Sequence, residues 1–418
     1  LEKLFNKWYS EEKEGMVNSK KVHLLGAFDR FNYGDLLFPI IFKNRLKGCG
    51  DAVDSDVYGL VESNLSQYGA LKTESIRVLY TNEKLNAGDT VVFAGGGTIG
   101  VDWSYMYSNL LGHTGNKILY YSARLFGAGI LDGLCKLRLG GRSSFPWMAK
   151  PEEFSVDVNV AYNAVGGSEF EKLPKEIQYK KLDILKDATY LSVRDAKTKQ
   201  LFSPIENSVS IELAPDSAIL MSEQYPLRIL RTLSSPSVLN EIDGKRYICF
   251  QCNLDYNRSH QDKIIDSLEK MYEKYGLQAV LLPIGRYAGL DDQIALREIK
   301  AKIRTPSAII SDQASIFEIM LTIAQSKLFV GTSLHGNVTA QSFAVPHLGL
   351  SDRPCKVDYY LSTWDLPEQS RCAQVGELVE MAGVALSVDD LRRQEKRSEL
   401  ISLSHSNFSK MFEKCRIC

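Results

Sequence analysis

His335 is the histidine best placed to do chemistry. It lies in Gly331-Thr332-Ser333-Leu334-His335-Gly336-Asn337, between the apolar run Leu328–Gly331 and a helix predicted over Asn337–Phe343. A strand that runs into a helix start turns free backbone N–H groups and the positive end of the helix dipole toward whatever lies beyond it. Imidazole is the side chain whose ordinary pKa suits proton transfer at neutral pH. The same position also suits a histidine packed in an ordinary strand-to-helix turn. Arg194, in Ser192-Val193-Arg194-Asp195, likewise follows a strand directly. A guanidinium grips a carboxylate or phosphate with two parallel hydrogen bonds, or else pairs with a carboxylate of its own chain. Asn32-Tyr33-Gly34-Asp35 reads either as a ligand loop or as a turn capped by Asp35, and Asp216 in Ala214-Pro215-Asp216-Ser217 reads first as a cap.

Gly95-Gly96-Gly97-Thr98-Ile99-Gly100 satisfies G-x-G-x-x-G after an apolar run. The dinucleotide form of that motif also wants an acidic residue about 20 positions on, and residues 103–131 contain none. What remains is a glycine turn that a ligand or a neighbouring chain approaches closely. The phosphate loop G-x-x-x-x-G-K-[ST], H-E-x-x-H and G-x-S-x-G are all absent, which removes support for a P-loop nucleotidase, the common zinc proteases and the hydrolase elbow. Two Cys-x-x-Cys pairs occur, Cys249/Cys252 in a strand-like run and Cys415/Cys418 at the C-terminus. They read as reduced thiols, not as a shared metal site, and no metal is expected.

Apolar runs that alternate with amphipathic stretches must position these residues, and that alternation is the α/β signature. Strands are predicted at Val22–Ala27, Thr90–Ala94, within Val156–Val165, at Tyr190–Val193 and at Ile211–Ala214, with a helix from about Asp35 to Leu46. A second set runs through Tyr247–Gln251, a helix from Asp262, Ala279–Pro283, Leu328–Gly331 and Val345–Leu350. In that set Ser315 and Glu318 form a capping box. Residues 222–246 have weak periodicity and are read as the interdomain connection. The expected organisation is residues 1–225 as a first Rossmann-like domain, 226–385 as a second, and 386–418 as closing helices.

Composition bounds the function. The chain has 418 residues with 50 Lys+Arg against 51 Asp+Glu. A net charge of −1 argues against bulk capture of nucleic acid, which needs a basic face. No stretch reaches the apolar length of a membrane span, and Leu1–Lys21 lacks the apolar core of a signal peptide. A cytoplasmic protein is expected, either free or peripheral at the inner face of the membrane. Leu125–Trp147, with Leu, Phe and Trp among Lys136, Arg138 and Arg142, is the candidate membrane contact. A buried helix and loop is the favoured alternative there. The sequence leaves the oligomeric state open.

The order of motifs is more telling than any one of them. NYGD after the first strand, AGGG after a later one, SVRD, APDS, then GTSLHG and AVPHLGL resemble the polysaccharide pyruvyl transferase family, from about Lys21 to Leu366. The resemblance implies a GT-B-like fold, two Rossmann-like domains facing across a cleft. It also implies transfer of the pyruvyl group of phosphoenolpyruvate to a saccharide as a cyclic ketal, with no cofactor beyond that donor. Arg194 matches the SVRD arginine, implied to hold phosphoenolpyruvate, and His335 matches the histidine of the Leu-His-Gly turn. Both are the expected catalytic residues. Many relatives carry Arg where this chain has Ser333, so another cation must serve. Lys356 is the best replacement, ahead of Arg353 and Arg286. Asn32, Gly34, Asp35, Gly95, Gly96, Gly97, Arg286, Ser333, Leu334, Gly336, Asn337 and Lys356 are the expected substrate-binding residues. The acceptor is expected to be a nucleotide- or lipid-linked saccharide for a surface glycan. A GT-B glycosyltransferase using a nucleotide sugar and a non-catalytic glycan-binding relative are the alternatives.

Overall fold

The structure is a computed structural model that describes residues 20–49, 53–81, 84–286 and 290–418. The leader reading of Leu1–Lys21 therefore lies almost wholly outside the described residues.

Seven strands build the first sheet: β1 (Lys21–Leu25), β2 (Asp54–Gly59), β3 (Glu74–Ser75), β4 (Thr90–Ala94), β5 (Asn159–Val165), β6 (Tyr190–Val193) and β7 (Ile211–Leu213). They lie in the order β3-β2-β1-β4-β5-β6-β7, and every pairing is parallel. Five more, β8 (Tyr247–Gln251), β9 (Gln278–Leu281), β10 (Ser307–Ile309), β11 (Leu328–Gly331) and β12 (His347–Gly349), form a second parallel sheet in the order β10-β9-β8-β11-β12. A parallel sheet is covered on both faces, so its inner strands read as unbroken apolar runs. All five residues of TVVFA in β4 and of YICFQ in β8 are buried.

Eight helices matter for the site. They are α1 (Tyr33–Leu46), α2 (Gly112–Phe126), α3 (Ala128–Leu139), α4 (Leu254–Tyr275), α5 (Ile316–Ala324), α6 (Leu334–Ser342), α7 (Lys356–Trp364) and α8 (Asp390–Lys414). Three of them start earlier than expected, α4 at Leu254 where Asp262 was expected. Helix α1 begins at Tyr33, so Asp35 lies inside the first turn and does not cap it. Helix α6 begins at Leu334 because the Ser333 hydroxyl accepts the Gly336 N–H, which brings His335 into the first helical turn. Residues 222–246 are not irregular. They hold two short helices whose Leu230, Val238 and Ile242 are buried in a core shared by both halves.

The chain does not end on the second sheet. Helix α8 returns to the first, where Asn407 joins Tyr190 of β6 and Asn163 of β5, each at 2.7 Å. Phe408 and Phe412 pack against Phe42 of α1. That return also sets Cys418 beside Cys49, Cα to Cα 5.2 Å apart, and the two are disulfide-linked. The reading of Cys418 as a reduced thiol is thereby corrected. A contact across 369 positions leaves no mark in local spacing.

Candidate functional site

The carboxyl ends of both sheets converge on one place. From the first half come the start of α1 after β1, the glycine turn after β4, Arg194 after β6 and Asp216 after β7. From the second come His335 after β11 and Lys356 beyond β12. Open α/β sheets hold ligands at such strand ends.

Asp216 is the joint. Its carboxylate is wholly buried. One oxygen, Oδ2, lies 3.1 Å from Arg194 Nη1 and 3.5 Å from His335 Nε2. The other accepts the Ala218 N–H at 3.0 Å. Burial pushes the Asp216 pKa up, but His335, Arg194 and the Ala218 N–H together outweigh it and hold the carboxyl below its ordinary value. Asp216 is thus the cap the sequence suggested and also the counter-charge of the site, a second role its motif did not announce. Arg194 makes the intramolecular ion pair left open above, and Trp364 of α7 fixes its backbone by donating to its carbonyl at 2.7 Å. Arg194 Nε is buried and has no hydrogen-bond partner, and His335 Nε2 faces Asp216 across 3.5 Å without a closer bond. Buried polar atoms are ordinarily satisfied, so this set beside a shared carboxylate keeps hydrogen-bonding capacity in hand.

Helix α1 supplies the facing wall. A β-carbon built on Gly34 would lie 1.8 Å from His335 Nδ1, so only glycine lets the imidazole sit there. The Phe38 ring meets the imidazole edge to face at 5.4 Å, and the Tyr33 hydroxyl bonds Thr339 of α6 at 2.8 Å. The N-termini of α1 and α6 therefore meet, and their dipoles favour an anion between them. Asn32 donates to Asp35 at 2.7 Å. Gly95 and Gly96 have φ of 66° and 75°, a backbone region that side chains disfavour. A β-carbon on Gly95 would strike the Phe38 ring, and one on Gly96 would come within 3.3 Å of Asp35. At Gly97 there is open space.

Lys356 opens α7, is reached by solvent, and feels the charges of Arg194 and Asp35. Desolvation first, and then Arg194, lower its pKa against the pull of Asp35, Cys355 and Glu169. The sequence reading expected an added cation here, and Lys356 is charge-coupled to Arg194. The Ser333 hydroxyl caps α6, while Leu334 belongs to the core and Gly336 packs against Phe329. Asn337 donates to the carbonyls of Gly331 and Ser333. Arg286 follows Gly285, which pairs with Asn32 at the start of α1, and its Nε and Nη1 are buried without a hydrogen-bond partner. Its guanidinium lies 3.8 Å over the Phe31 ring and donates to the Ala314 carbonyl.

Sequence reading missed two residues that hold the His335 turn. Gln251, at the end of β8, accepts from the Ser333 N–H at 2.9 Å and donates to Asp292 at 2.8 Å. Asp292 also accepts the Ile284 and Gly285 N–H groups. Burial raises its carboxyl to about 7. Among the described residues, one group brings three metal-capable donors within 4.8 Å, namely Cys355, Asp358 and Cys372. The Asp358 oxygens already accept the N–H groups of Cys355 and Cys372, so the trio reads as the cap of α7. The hydrogen bond with the Cys372 thiol lowers the Cys355 pKa.

The polysaccharide pyruvyl transferase family profile matches residues 32–353, a span that includes Asn32, Arg194, Asp216 and His335. No curated protein shows a significant sequence match. Among solved structures, the S. aureus MnaA–UDP co-structure aligns with a TM-score of 0.57 at 12% identity, over 96% of this chain and 98% of that one. Methanocaldococcus jannaschii UDP-GlcNAc 2-epimerase in complex with UDP-GlcNAc and UDP gives 0.52 at 14%, over 89% and 94%. The Neisseria meningitidis UDP-GlcNAc 2-epimerase bound to UDP-GlcNAc gives 0.52 at 10%, over 94% and 100%. At these identities the likeness shows the fold alone, two Rossmann-like domains in the GT-B arrangement. The profile adds what fold alone cannot: this chain belongs to the polysaccharide pyruvyl transferase family.

Proposed function

We propose that the chain transfers the pyruvyl group of phosphoenolpyruvate to a saccharide, closing a cyclic ketal across two hydroxyls in the synthesis of a surface polysaccharide. The observation that carries this is the buried Asp216 shared by Arg194 at 3.1 Å and by the His335 imidazole, whose Nε2 faces it at 3.5 Å. Protonation of the enol phosphate's methylene carbon takes the C=C π pair and leaves an oxocarbenium-like centre. One sugar hydroxyl adds, phosphate leaves with its C–O electron pair, and the second hydroxyl closes the ring. Of the two hydroxyl protons, one is matched by the new methyl hydrogen and the other leaves with phosphate or solvent.

His335 is the group for these proton transfers, with Asp216 orienting the imidazole and stabilising its cationic form. Arg194 keeps Asp216 ionised and adds positive charge. Lys356 and the facing N-termini of α1 and α6 receive the carboxylate and phosphate of the donor. Residues 1–225 are proposed as the acceptor side and 226–385 as the donor side. The acceptor is proposed to be nucleotide- or lipid-linked, and the location cytoplasmic. No helix among the described residues is long and apolar enough to cross a membrane.

The test is to incubate the purified chain with phosphoenolpyruvate and galactose-, mannose- or N-acetylmannosamine-type acceptors, following phosphate release and the mass gained by the sugar. His335→Ala and Arg194→Ala should each cut turnover by at least ~100-fold with circular dichroism unchanged. Turnover of a nucleotide sugar without phosphoenolpyruvate would replace this reading with a glycosyltransferase.

A further inference from the structure

Helices α2 and α3 form a hairpin hinged at Gly127, whose φ is 88°. The inner face of α3 is ordinary, since Cys135 and Leu139 are buried and Leu131 packs on the core. Its outer face is not. Ile130, Leu134 and Leu137 recur at helical spacing, and so do Ile118, Tyr121 and Leu125 on α2. All six are more than half exposed, with Leu125 at 79% and Leu137 at 76%. Elsewhere among the described residues only Tyr105, Tyr179 and Leu391 are large apolar side chains exposed beyond half, and Tyr105 lies on the helix just before the hairpin. The sequence offered Leu125–Trp147 as either a membrane contact or a buried helix and loop. The structure divides it, burying Phe145 and Trp147 while exposing Leu125, Leu134 and Leu137.

Charge distinguishes the occupant. Residues 103–142 carry Lys117, Arg124, Lys136, Arg138 and Arg142 against the single acid Asp132, in a chain whose net charge is −1. Asp132 is turned inward, where it accepts the Ser104 N–H at 2.8 Å. A second copy of the chain, paired about a two-fold axis, would bring these cations against their own kind. An anionic bilayer answers both properties at once, taking the apolar side chains at the acyl boundary and the cations among its phosphates. Neither helix is long enough to span, so the hairpin would lie in the interface.

We propose that the α2–α3 hairpin docks this chain on an anionic phospholipid surface. Two short helical segments, Thr98–Gly100 and Trp103–Ser108, join the glycine turn of the site to the hairpin. The inference does not depend on the donor proposed above and is tested without it.

The experiment is sedimentation of the full chain with vesicles of phosphatidylcholine, alone or with about 30% phosphatidylglycerol. Binding should favour the anionic vesicles by at least ~10-fold and weaken with salt. L125E/L137E should lose at least ~10-fold of it with the melting temperature unchanged. K136S/R138S, which spares the apolar face, should lose the preference for anionic vesicles. Failure of the parent chain to sediment with either vesicle would overturn the proposal, as would unchanged binding by both variants. Analytical ultracentrifugation showing a dimer that L125E/L137E dissolves would assign the face to a second copy instead.

Discussion

Gly34 has no side chain, and His335 occupies the space one would need. Gly34→Ala must therefore displace the imidazole or part α1 from α6. We expect turnover to fall by ~100-fold, as when a reacting group is misplaced by about 1 Å. We also expect stability to drop by ~1–3 kcal/mol from overpacking. Denaturant unfolding and the NMR signals of the His335 ring measure the two effects separately, and an unmoved ring would remove Gly34 from the site. At this scale His335 and Arg194 were legible because each follows an apolar run directly, so position and chemistry could be read together. Asp216 was read first as a cap, because capping and charge pairing ask for the same carboxylate at the same strand end. Gln251 and Asp292 gave no signal. One closes a buried strand and the other opens a helix, and their link exists only once β8, β9 and β11 lie side by side.

That link makes elements cooperate. Asp292 ties the turn after β9 to Gln251, and Gln251 ties the end of β8 to the start of α6. Because Asp292 sits at about 7 in the fold against an ordinary 3.8, the folded chain holds a proton there that the unfolded chain releases. Its contribution to stability is fully present below the unfolded value and declines as pH rises through the folded one. We expect Asp292→Asn, which stays neutral, to flatten the stability profile between about 4 and 7 in urea titrations. An unchanged slope would show that Asp292 carries no proton in the fold. Element boundaries were legible where apolar runs were unbroken, as in β4 and β8. They were missed at β2, whose Asp54-Ser55-Asp56 start hides a buried strand, and at α4, which begins at Leu254 behind an Asn253 cap.

The two halves share one interior. Helix α1 is buried on nearly every side, and its Leu36 and Phe42 belong to the same core as Ile319 of α5, Val338 of α6 and Phe408 of α8. Calorimetry should therefore show one cooperative transition, where separable domains would give two. The strands fall into two sheets on either side of residues 222–246, but the sequence could not show this shared interior, since amphipathic spacing says that a face is buried and not against what. The return of α8 has a consequence for synthesis. Domains usually fold as they leave the ribosome, the N-terminal one first. Here Val22, Leu24 and Phe42 of the first-made half are completed by Leu400, Phe408, Met411 and Phe412, which are made only after the whole second sheet. The first half must wait through the translation of the second with part of its core uncovered, and chaperones that bind exposed apolar segments have that interval in which to act.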